Sequence, residues 1–145
     1  MRQLTFAILL LACISSVCAM RKQSTAVKGR LHCGGVPAAN VKVKLVDKDT
    51  GLDPDDEMSA GYTDSDGRFH LQGDETELTT IDPQLKIYHK CNHAPKPCDR
   101  KWVINIPDLY VSDVLSEGQN PKKVFDLGDV NLEVELEGET TDCIH

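Results

Sequence analysis

The segment YHKCNHAPKPCDRKW, residues 88–102, concentrates side chains that could bind a metal or close a disulfide. Two histidines and two cysteines fall within ten of its positions: His89, Cys91, His93 and Cys98. Imidazole and thiolate are ligands that zinc prefers. Six residues separate the two cysteines, however, whereas paired cysteines in structural zinc sites usually have about two to four residues between them. The spacing therefore disfavours zinc, and we expect no bound metal and no cofactor. A disulfide is the other interpretation of these cysteines.

The N-terminal residues have the features of a secretory signal peptide. Arg2 precedes the run LTFAILLLACISSV, which is too short to span a membrane. Small residues, Val17 and Ala19, then occupy the spacing of a cleavage site. We therefore expect residues 1–19 to be removed and residues 20–145 to form one extracellular domain. No second hydrophobic segment follows, so the sequence predicts a secreted protein without a transmembrane segment.

The cysteine count and the charge support this assignment. Cleavage would remove Cys13 and Cys18 and leave Cys33, Cys91, Cys98 and Cys143. An even number of cysteines in an oxidising compartment predicts two disulfides, for which three pairings exist. Cleavage would also remove one of the 16 basic residues, leaving 15 against 23 acidic ones, a net charge of about −8. Such a chain has no general attraction for nucleic acid.

Apolar and polar residues alternate along most of the remaining sequence. The alternation is clearest in VNLEVELE, where Val130, Leu132, Val134 and Leu136 are separated by polar residues. A period of two residues indicates half-buried antiparallel strands. The predicted strands are 25–33, 40–48, 67–73, 83–91, 101–107 and 130–137. Turn residues separate them, and DSDG (64–67) predicts a tight hairpin turn in which Gly67 takes a positive φ. Only one short helical turn is predicted, within 107–118.

An acidic segment, DKDTGLDPDDE at 47–57, raises the question of calcium. An EF-hand loop requires glycine at its sixth position and glutamate at its twelfth. Counted from Asp47, these positions hold Leu52 and Met58, so the motif does not match. The segment is predicted to be an exposed acidic loop, and the sequence does not decide whether it binds calcium. No nucleophile motif such as Gly-x-Ser-x-Gly is present either.

The cysteine-rich loop also carries a local positive charge. Residues 89–101 hold Lys90, Lys96, Arg100 and Lys101 against Asp99 alone, a charge of +3 on an acidic chain. A basic loop held by a disulfide could bind an anionic head group through its ammonium and guanidinium groups. These four residues are the candidate binding site. The alternative is a solvated loop whose charges serve solubility.

The order of the sequence blocks resembles the nematode transthyretin-like family. The matching blocks are VKGRLHCGGVPAANVKVKLVDKD, TDSDGRFHLQG, TTIDPQLKIYHKC, IPDLYV and FDLGDVNLEVEL, followed by a glycine, a glutamate and Cys143. The resemblance implies an all-β, transthyretin-type sandwich of about seven antiparallel strands in two sheets. The family consists of small secreted proteins, most without a defined activity. One member bridges phosphatidylserine on dying cells and an engulfment receptor.

The resemblance also implies a disulfide pairing. In transthyretin-like sandwiches the first strand runs parallel beside the penultimate or last strand. This arrangement would bring Cys33 close to the segment that leads to Cys143. The implied bridges are therefore Cys33–Cys143 and Cys91–Cys98.

Catalysis is not expected. Hydrolases that resemble transthyretin in fold end in Tyr-Arg-Gly-Ser and use an active-site histidine and arginine, whereas this chain ends in TTDCIH. His32 and His70, both on predicted strands, are the residues that could substitute for the hydrolase histidines. The departure also leaves the tetramer of transthyretin, and its central ligand channel, without support, so the oligomeric state is not predicted.

The sequence favours an extracellular, non-enzymatic binding protein that presents loops to a cell-surface receptor, to an anionic phospholipid such as phosphatidylserine, or to both. The alternative is an extracellular carrier of a small hydrophobic ligand. A carrier would need outward-facing apolar residues on its strands. The outward positions here are mostly lysine, glutamate, asparagine and arginine, which disfavours a carrier.

Overall fold

The computed structural model describes residues 20–49, 54–118 and 120–145, so the predicted signal peptide lies outside the described residues. Within them the chain forms ten strands, one 3₁₀ turn at Asp108–Tyr110 and one short helix, α1 (Val114–Glu117). The strands are β1 (Arg21–Cys33), β2 (Val36–Pro37), β3 (Lys42–Asp47), β4 (Asp56–Tyr62), β5 (Arg68–Glu77), β6 (Pro83–His89), β7 (Asp99–Asn105), β8 (Ser112–Asp113), β9 (Phe125–Asn131) and β10 (Thr140–Asp142).

The strands form two five-stranded sheets. In the first sheet, β1 lies between β5, which is antiparallel to it, and β9, which is parallel. Short strands β2 and β8 pair with the two ends of β1. The second sheet has the order β10-β7-β6-β3-β4 and is antiparallel throughout. The all-β sandwich and the parallel pairing of the first strand with a late strand are both confirmed.

Alternate residues of the long strands fill the space between the sheets. The fully buried side chains include Val27 and Leu31 of β1, Leu45 of β3, and Leu85 and Ile87 of β6. Burying an aliphatic side chain of this size stabilises the folded state by about 1.5–3 kcal/mol. The alternating sequence pattern therefore has a direct cause, because every second residue faces this core.

The strand predicted at 130–137 is wrong. β9 ends at Asn131, and the next residues form a loop in which Val134 and Leu136 are 53% and 36% exposed. After the end of β9, Leu132 is fully buried in the core, and its backbone N–H donates to the carbonyl of His32 at 2.8 Å. The alternation of apolar residues with glutamate imitates the pattern of a strand. In this loop, however, the carbonyls of Leu132 and Val134 accept hydrogen bonds from the buried side chain of Arg100.

Strand β4, by contrast, was not predicted. Its sequence, DEMSAGY, overlaps the end of the acidic segment 47–57 and lacks a clear apolar period. Pairing with β3 creates the strand, with a bulge between Leu45 and Val46. Residues 50–53 of the acidic segment lie outside the described residues. β4 also approaches β5 of the other sheet closely, and a Cβ on Gly73 would lie 2.6 Å from the Cβ of Met58.

The predicted turn at 64–67 is present, and Gly67 has a φ of +76°. A side chain on Gly67 would collide with the carbonyl oxygen of Leu31, 2.1 Å from an added Cβ. The turn differs from the prediction in what it connects, since β4 and β5 belong to different sheets. It therefore closes one edge of the sandwich rather than joining two paired strands.

Candidate functional site

The cysteine-rich loop joins β6 to β7, and its disulfides differ from the predicted pairing. The structure joins Cys33 to Cys91 and Cys98 to Cys143, so the pairs Cys33–Cys143 and Cys91–Cys98 are wrong. Cys33 lies on the core-facing side of β1, and there it meets Cys91, which follows β6 of the opposite sheet and is 8% exposed. The first bridge therefore links the two sheets. The second ties the loop to the segment after β10.

Arg100 is not part of a binding surface, contrary to the prediction. It is 4% exposed and holds Glu139 with two hydrogen bonds, Nε to Oε1 at 2.6 Å and one terminal nitrogen to Oε2 at 2.7 Å. The guanidinium also donates to the carbonyls of Cys91, Leu132 and Val134 at 2.7–3.0 Å. All of its hydrogen-bonding capacity is directed into the protein. Arg100 thus explains why residues 132–139 wrap around it instead of continuing β9.

The three lysines of the predicted site point to different surroundings. Lys90 lies 3.4 Å from Asp99 and donates to the carbonyl of Pro97 at 3.0 Å. Lys101 lies 3.2 Å from Asp142. Lys96 is exposed, and its ammonium has no partner among the described residues. The loop therefore offers one unpaired cation in place of the predicted cluster of four.

His89 is the buried strand histidine that the alternation predicts. It is 3% exposed, its Nδ1 accepts a hydrogen bond from the backbone N–H of Cys91 at 3.2 Å, and its ring meets the edge of Trp102. Burial, together with the nearby Arg100, lowers the pKa of His89 to about 4. Its Nε2 is buried and has no partner among the described residues. Since both cysteines of the motif are in disulfides, neither can serve as a zinc thiolate.

A concave surface lies on the outer face of the first sheet. We call it the sheet groove, a space of about 610 Å³. Lys28 and Arg30 of β1 and Arg68 and His70 of β5 line it. Further lining comes from Tyr62 at the end of β4, from Asp64 of the following turn and from Asp126 and Asp129 of β9. The groove is open to solvent.

The register of the groove places basic residues of β1 and β5 side by side, including two arginines with like charges. Arg30 lies directly opposite Arg68, and Lys28 lies opposite His70. Directly opposed like charges destabilise a sheet. β9 offsets part of this cost, because Asp129 lies 3.1 Å from Arg30 and Asp126 lies 3.5 Å from Lys28.

The basic residues of β5, Arg68 and His70, have no such ion-pair partners among the described residues. The side chains of Arg68 and His70 are exposed and have no hydrogen-bond or ion-pair partner within the described part of the chain. The groove therefore presents the uncompensated guanidinium of Arg68, with the His70 imidazole near it, beside carboxylates. It can accept an anionic group, and a cationic group next to it.

The sequence shows which residues of the groove point outward from each strand, but it does not show that the two strands lie side by side. Lys28 and Arg30 occupy outward positions of the first predicted strand, and Arg68 and His70 occupy outward positions of the third. The missing information was that these strands are neighbours. A basic residue at alternate positions of two strands is the signal that could have suggested the groove.

Comparison with known proteins identifies the family. The model of the Transthyretin-like family matches residues 28–107. Three relatives from Caenorhabditis elegans match over most of this chain. Transthyretin-like protein 33 is 49% identical, over 93% of this chain and 97% of its own length. Transthyretin-like protein 46 is 52% identical, over 87% and 69%. Transthyretin-like protein 5 is 44% identical, over 95% and 98%. This chain belongs to the transthyretin-like family.

A solved structure, a 9R-lipoxygenase from Cyanothece, aligns with 75% of this chain and 16% of its own. Its TM-score of 0.42 and identity of 20% are too low to bear on the fold or the function.

His32 and His70 are the two strand histidines that could substitute for the histidines of the hydrolases that resemble transthyretin in fold. His32 is held on both sides, since its Nδ1 lies 2.6 Å from the carbonyl oxygen of Gly34 and its Nε2 lies 3.2 Å from Asp129. His70 instead faces the sheet groove. His32 therefore has a structural role at the end of β1, and His70 is the histidine exposed to a ligand in the groove.

Among residues 20–49, 54–118 and 120–145, no helix has the length and apolar character that a membrane span requires.

Proposed function

We propose that this transthyretin-like protein is a secreted, non-enzymatic binding protein that recognises an anionic group at a cell surface through the sheet groove. The observation that carries the proposal is the pairing of basic residues across β1 and β5, where Arg30 opposes Arg68, with like charges, and Lys28 opposes His70. An anion bound between these strands would remove the repulsion that the register creates.

The mixture of charges favours a particular class of head group. Arg68 and His70 can receive phosphate or carboxylate, while the nearby Asp64, which forms no ion pair among the described residues, can receive an ammonium. A phosphoserine head group, as in phosphatidylserine, carries all three of these charges. The same chemistry on an acidic receptor segment is the second candidate partner.

The groove is a better candidate than the cysteine-rich loop. Arg100 is buried in structural hydrogen bonds, and both Lys90 and Lys101 have carboxylate partners. Lys96 alone stays free of a partner among the described residues. One exposed cation contributes about 1 kcal/mol of attraction to an anionic membrane, which is too little for attachment.

The carrier alternative gains no support from the groove. Its lining is dominated by charged residues, whereas sites for small hydrophobic ligands are lined mainly by apolar and aromatic side chains. Tyr62 and Phe69 are the aromatic residues that line it.

The test compares two surfaces in one assay. The secreted protein is sedimented with vesicles that contain phosphatidylserine and with neutral vesicles, at low and moderate salt. We expect binding to the anionic vesicles that weakens as salt screens the charges. The variant Arg68→Glu/His70→Glu should lose this binding, and soluble O-phosphoserine should compete with it.

Lys96→Glu is the matched control, because it changes the charge of the loop without touching the groove. It should bind as the parent does, and both variants should keep the parent's thermal melt. Loss of binding in Lys96→Glu with retention in the groove variant would refute the proposal in favour of the loop. Binding to cells but to no vesicle at any salt would assign the partner as a protein.

A further inference from the structure

Tyr88 is an outward-facing aromatic residue that is nevertheless buried. Its position on β6 alternates with the core residues Leu85 and Ile87, so its ring lies on the outer face of the second sheet, yet Tyr88 is only 5% exposed. Lys42 of β3 and Lys101 of β7 are its direct cross-strand neighbours. We call Lys42, Tyr88 and Lys101 the Tyr88 platform. The Lys101 ammonium lies 5.7 Å from the centre of the Tyr88 ring, which is within cation–π range.

His145 lies over the Tyr88 platform. The His145 ring stacks on Tyr88 with ring centres 4.2 Å apart and planes 9° from parallel. Lys42 donates to the main-chain oxygen of His145 at 2.6 Å, and Nε2 of His145 lies 3.0 Å from a carboxylate oxygen of Asp99. His145 thus presents a planar ring, an oxygen acceptor towards Lys42 and a donor towards Asp99.

The covering is imperfect and local. Nδ1 of His145 is buried and has no partner within the described residues, which costs free energy. The adjacent Ile144 is 91% exposed and adds almost nothing to the contact. The disulfide of Cys143 to Cys98 anchors the segment just before these two residues. Residues 144–145 can therefore leave the platform without disturbing either sheet.

The geometry points to a second binding site on the Tyr88 platform, for a planar aromatic acid that carries a hydrogen-bond donor, with His145 as an internal stand-in for the ligand. The ring of such a molecule would stack on Tyr88 and its carboxylate would accept from Lys42. Its hydroxyl would donate to Asp99. Such a ligand would present the ring, the oxygen acceptor and the donor that His145 presents, so it would compete with His145 for the same three contacts.

The charges around the platform fit an acid of low charge. Lys42 and Lys101 are cationic, while Asp99 and Asp142 lie on the side of β7 and β10 and are paired with Lys90 and Lys101. Lys42 forms no ion pair with an aspartate or glutamate of the described residues, and it donates to the main-chain oxygen of His145. A single carboxylate on the ligand would therefore take the place of the His145 oxygen beside Lys42.

The experiment measures binding of 4-hydroxybenzoate by calorimetry and follows the ring protons of His145 by NMR. In the parent protein the ligand should displace His145 and move its ring signals away from the values imposed by the Tyr88 ring. His145→Ala removes the competitor, so its affinity should be about tenfold higher if the platform is covered about nine-tenths of the time. Three control ligands each lack one feature: benzoate, 4-hydroxybenzyl alcohol and 4-hydroxycyclohexanecarboxylate. Each should bind more weakly.

Lys42→Gln in the His145→Ala background locates the site. This surface change should leave the thermal melt unaltered and abolish most of the binding. The inference is overturned if His145→Ala binds the acid no more tightly than the parent, if it binds none, or if Lys42→Gln leaves binding intact. None of these outcomes depends on the sheet groove, which lies on the other sheet.

Discussion

At the scale of single residues, Arg100 shows how far a side chain's sequence context can mislead. In the sequence it stands among basic residues of a loop and looks like part of a binding surface. In the structure it is the centre of a buried network with Glu139 and three carbonyls. Trp102 adds a hydrogen bond to the same carboxylate at 2.6 Å. The hydrogen bond from Arg100 holds the pKa of Glu139 at about 2, so the pair stays charged through the physiological range.

Replacement of Arg100 by leucine should therefore be strongly destabilising. It would leave the Glu139 carboxylate and three carbonyls without their donor, and breaking a buried ion pair from one side costs about 3–5 kcal/mol. Urea unfolding monitored by Trp102 fluorescence measures this loss. Lys96→Ala, on the same loop but exposed, should change the unfolding free energy by less than about 0.5 kcal/mol. Equal effects of the two substitutions would contradict the role assigned to Arg100.

At the scale of elements, the disulfides connect parts of the sandwich that the strand ladders leave apart. Cys33–Cys91 joins β1 of the first sheet to the end of β6 in the second, and Cys98–Cys143 joins the loop before β7 to the segment after β10. The predicted pairing relied on β1 lying beside a late strand, which is correct. It failed because Cys33 faces the core and not the neighbouring strand.

Non-reducing peptide mapping of the secreted protein should recover Cys33–Cys91 and Cys98–Cys143. The two bridges close loops with sequence separations of 58 and 45 residues, so each contributes about 4 kcal/mol by loop entropy. Removing the first pair by alanine substitution should cost more than removing the second. Cys91 is buried in the core and its truncation leaves a cavity, whereas Cys143 is exposed. A recovered Cys91–Cys98 peptide would refute this pairing.

At the scale of the whole molecule, two buried titratable groups, His89 and Asp47, have opposite effects on the free energy of unfolding as pH falls. Burial lowers the pKa of His89 to about 4, below its usual value of 6.5. The stability that depends on neutral His89 is therefore lost as pH falls from about 6.5 to about 4. Burial raises the pKa of Asp47 to about 6 from 3.8. The folded state therefore gains stability as Asp47 takes up a proton between about 6 and 3.8.

The two effects should separate in single variants. His89→Gln removes the group whose protonation destabilises the folded state in acid. Between pH 7 and pH 4, the unfolding free energy of this variant should therefore fall less than that of the parent, or should rise. Asp47→Asn removes the gain and keeps an oxygen to accept from the backbone of Asp82, so it should be more stable than the parent at pH 7 by about 3 kcal/mol. That advantage should vanish near pH 4. Urea unfolding across this pH range checks both, and parallel curves for the two variants would refute the assignment.

The sequence by itself determined the class of the fold and most of its strands. The sequences of β1, β3, β5, β6 and β7 alternate with a period of two residues. This pattern is visible in the sequence because every second side chain of a strand faces the core of the sandwich. The buried position of His89 followed from the same alternation. The pairing of the first strand with a late one came from resemblance to the family, since no local pattern specifies which distant strand becomes a neighbour.

Only the tertiary structure decided which residues meet. VNLEVELE alternates like a strand, yet Arg100, some thirty residues earlier in sequence, takes the carbonyls of Leu132 and Val134 and bends the chain into a loop. The sheet groove depends on the register of β1 against β5, and the covering of the Tyr88 platform by His145 depends on the path of residues 143–145 over the second sheet. Hydrogen bonds, ion pairs and disulfides between distant segments have no local signature, because their energy depends on the separation in space and not on the separation along the chain.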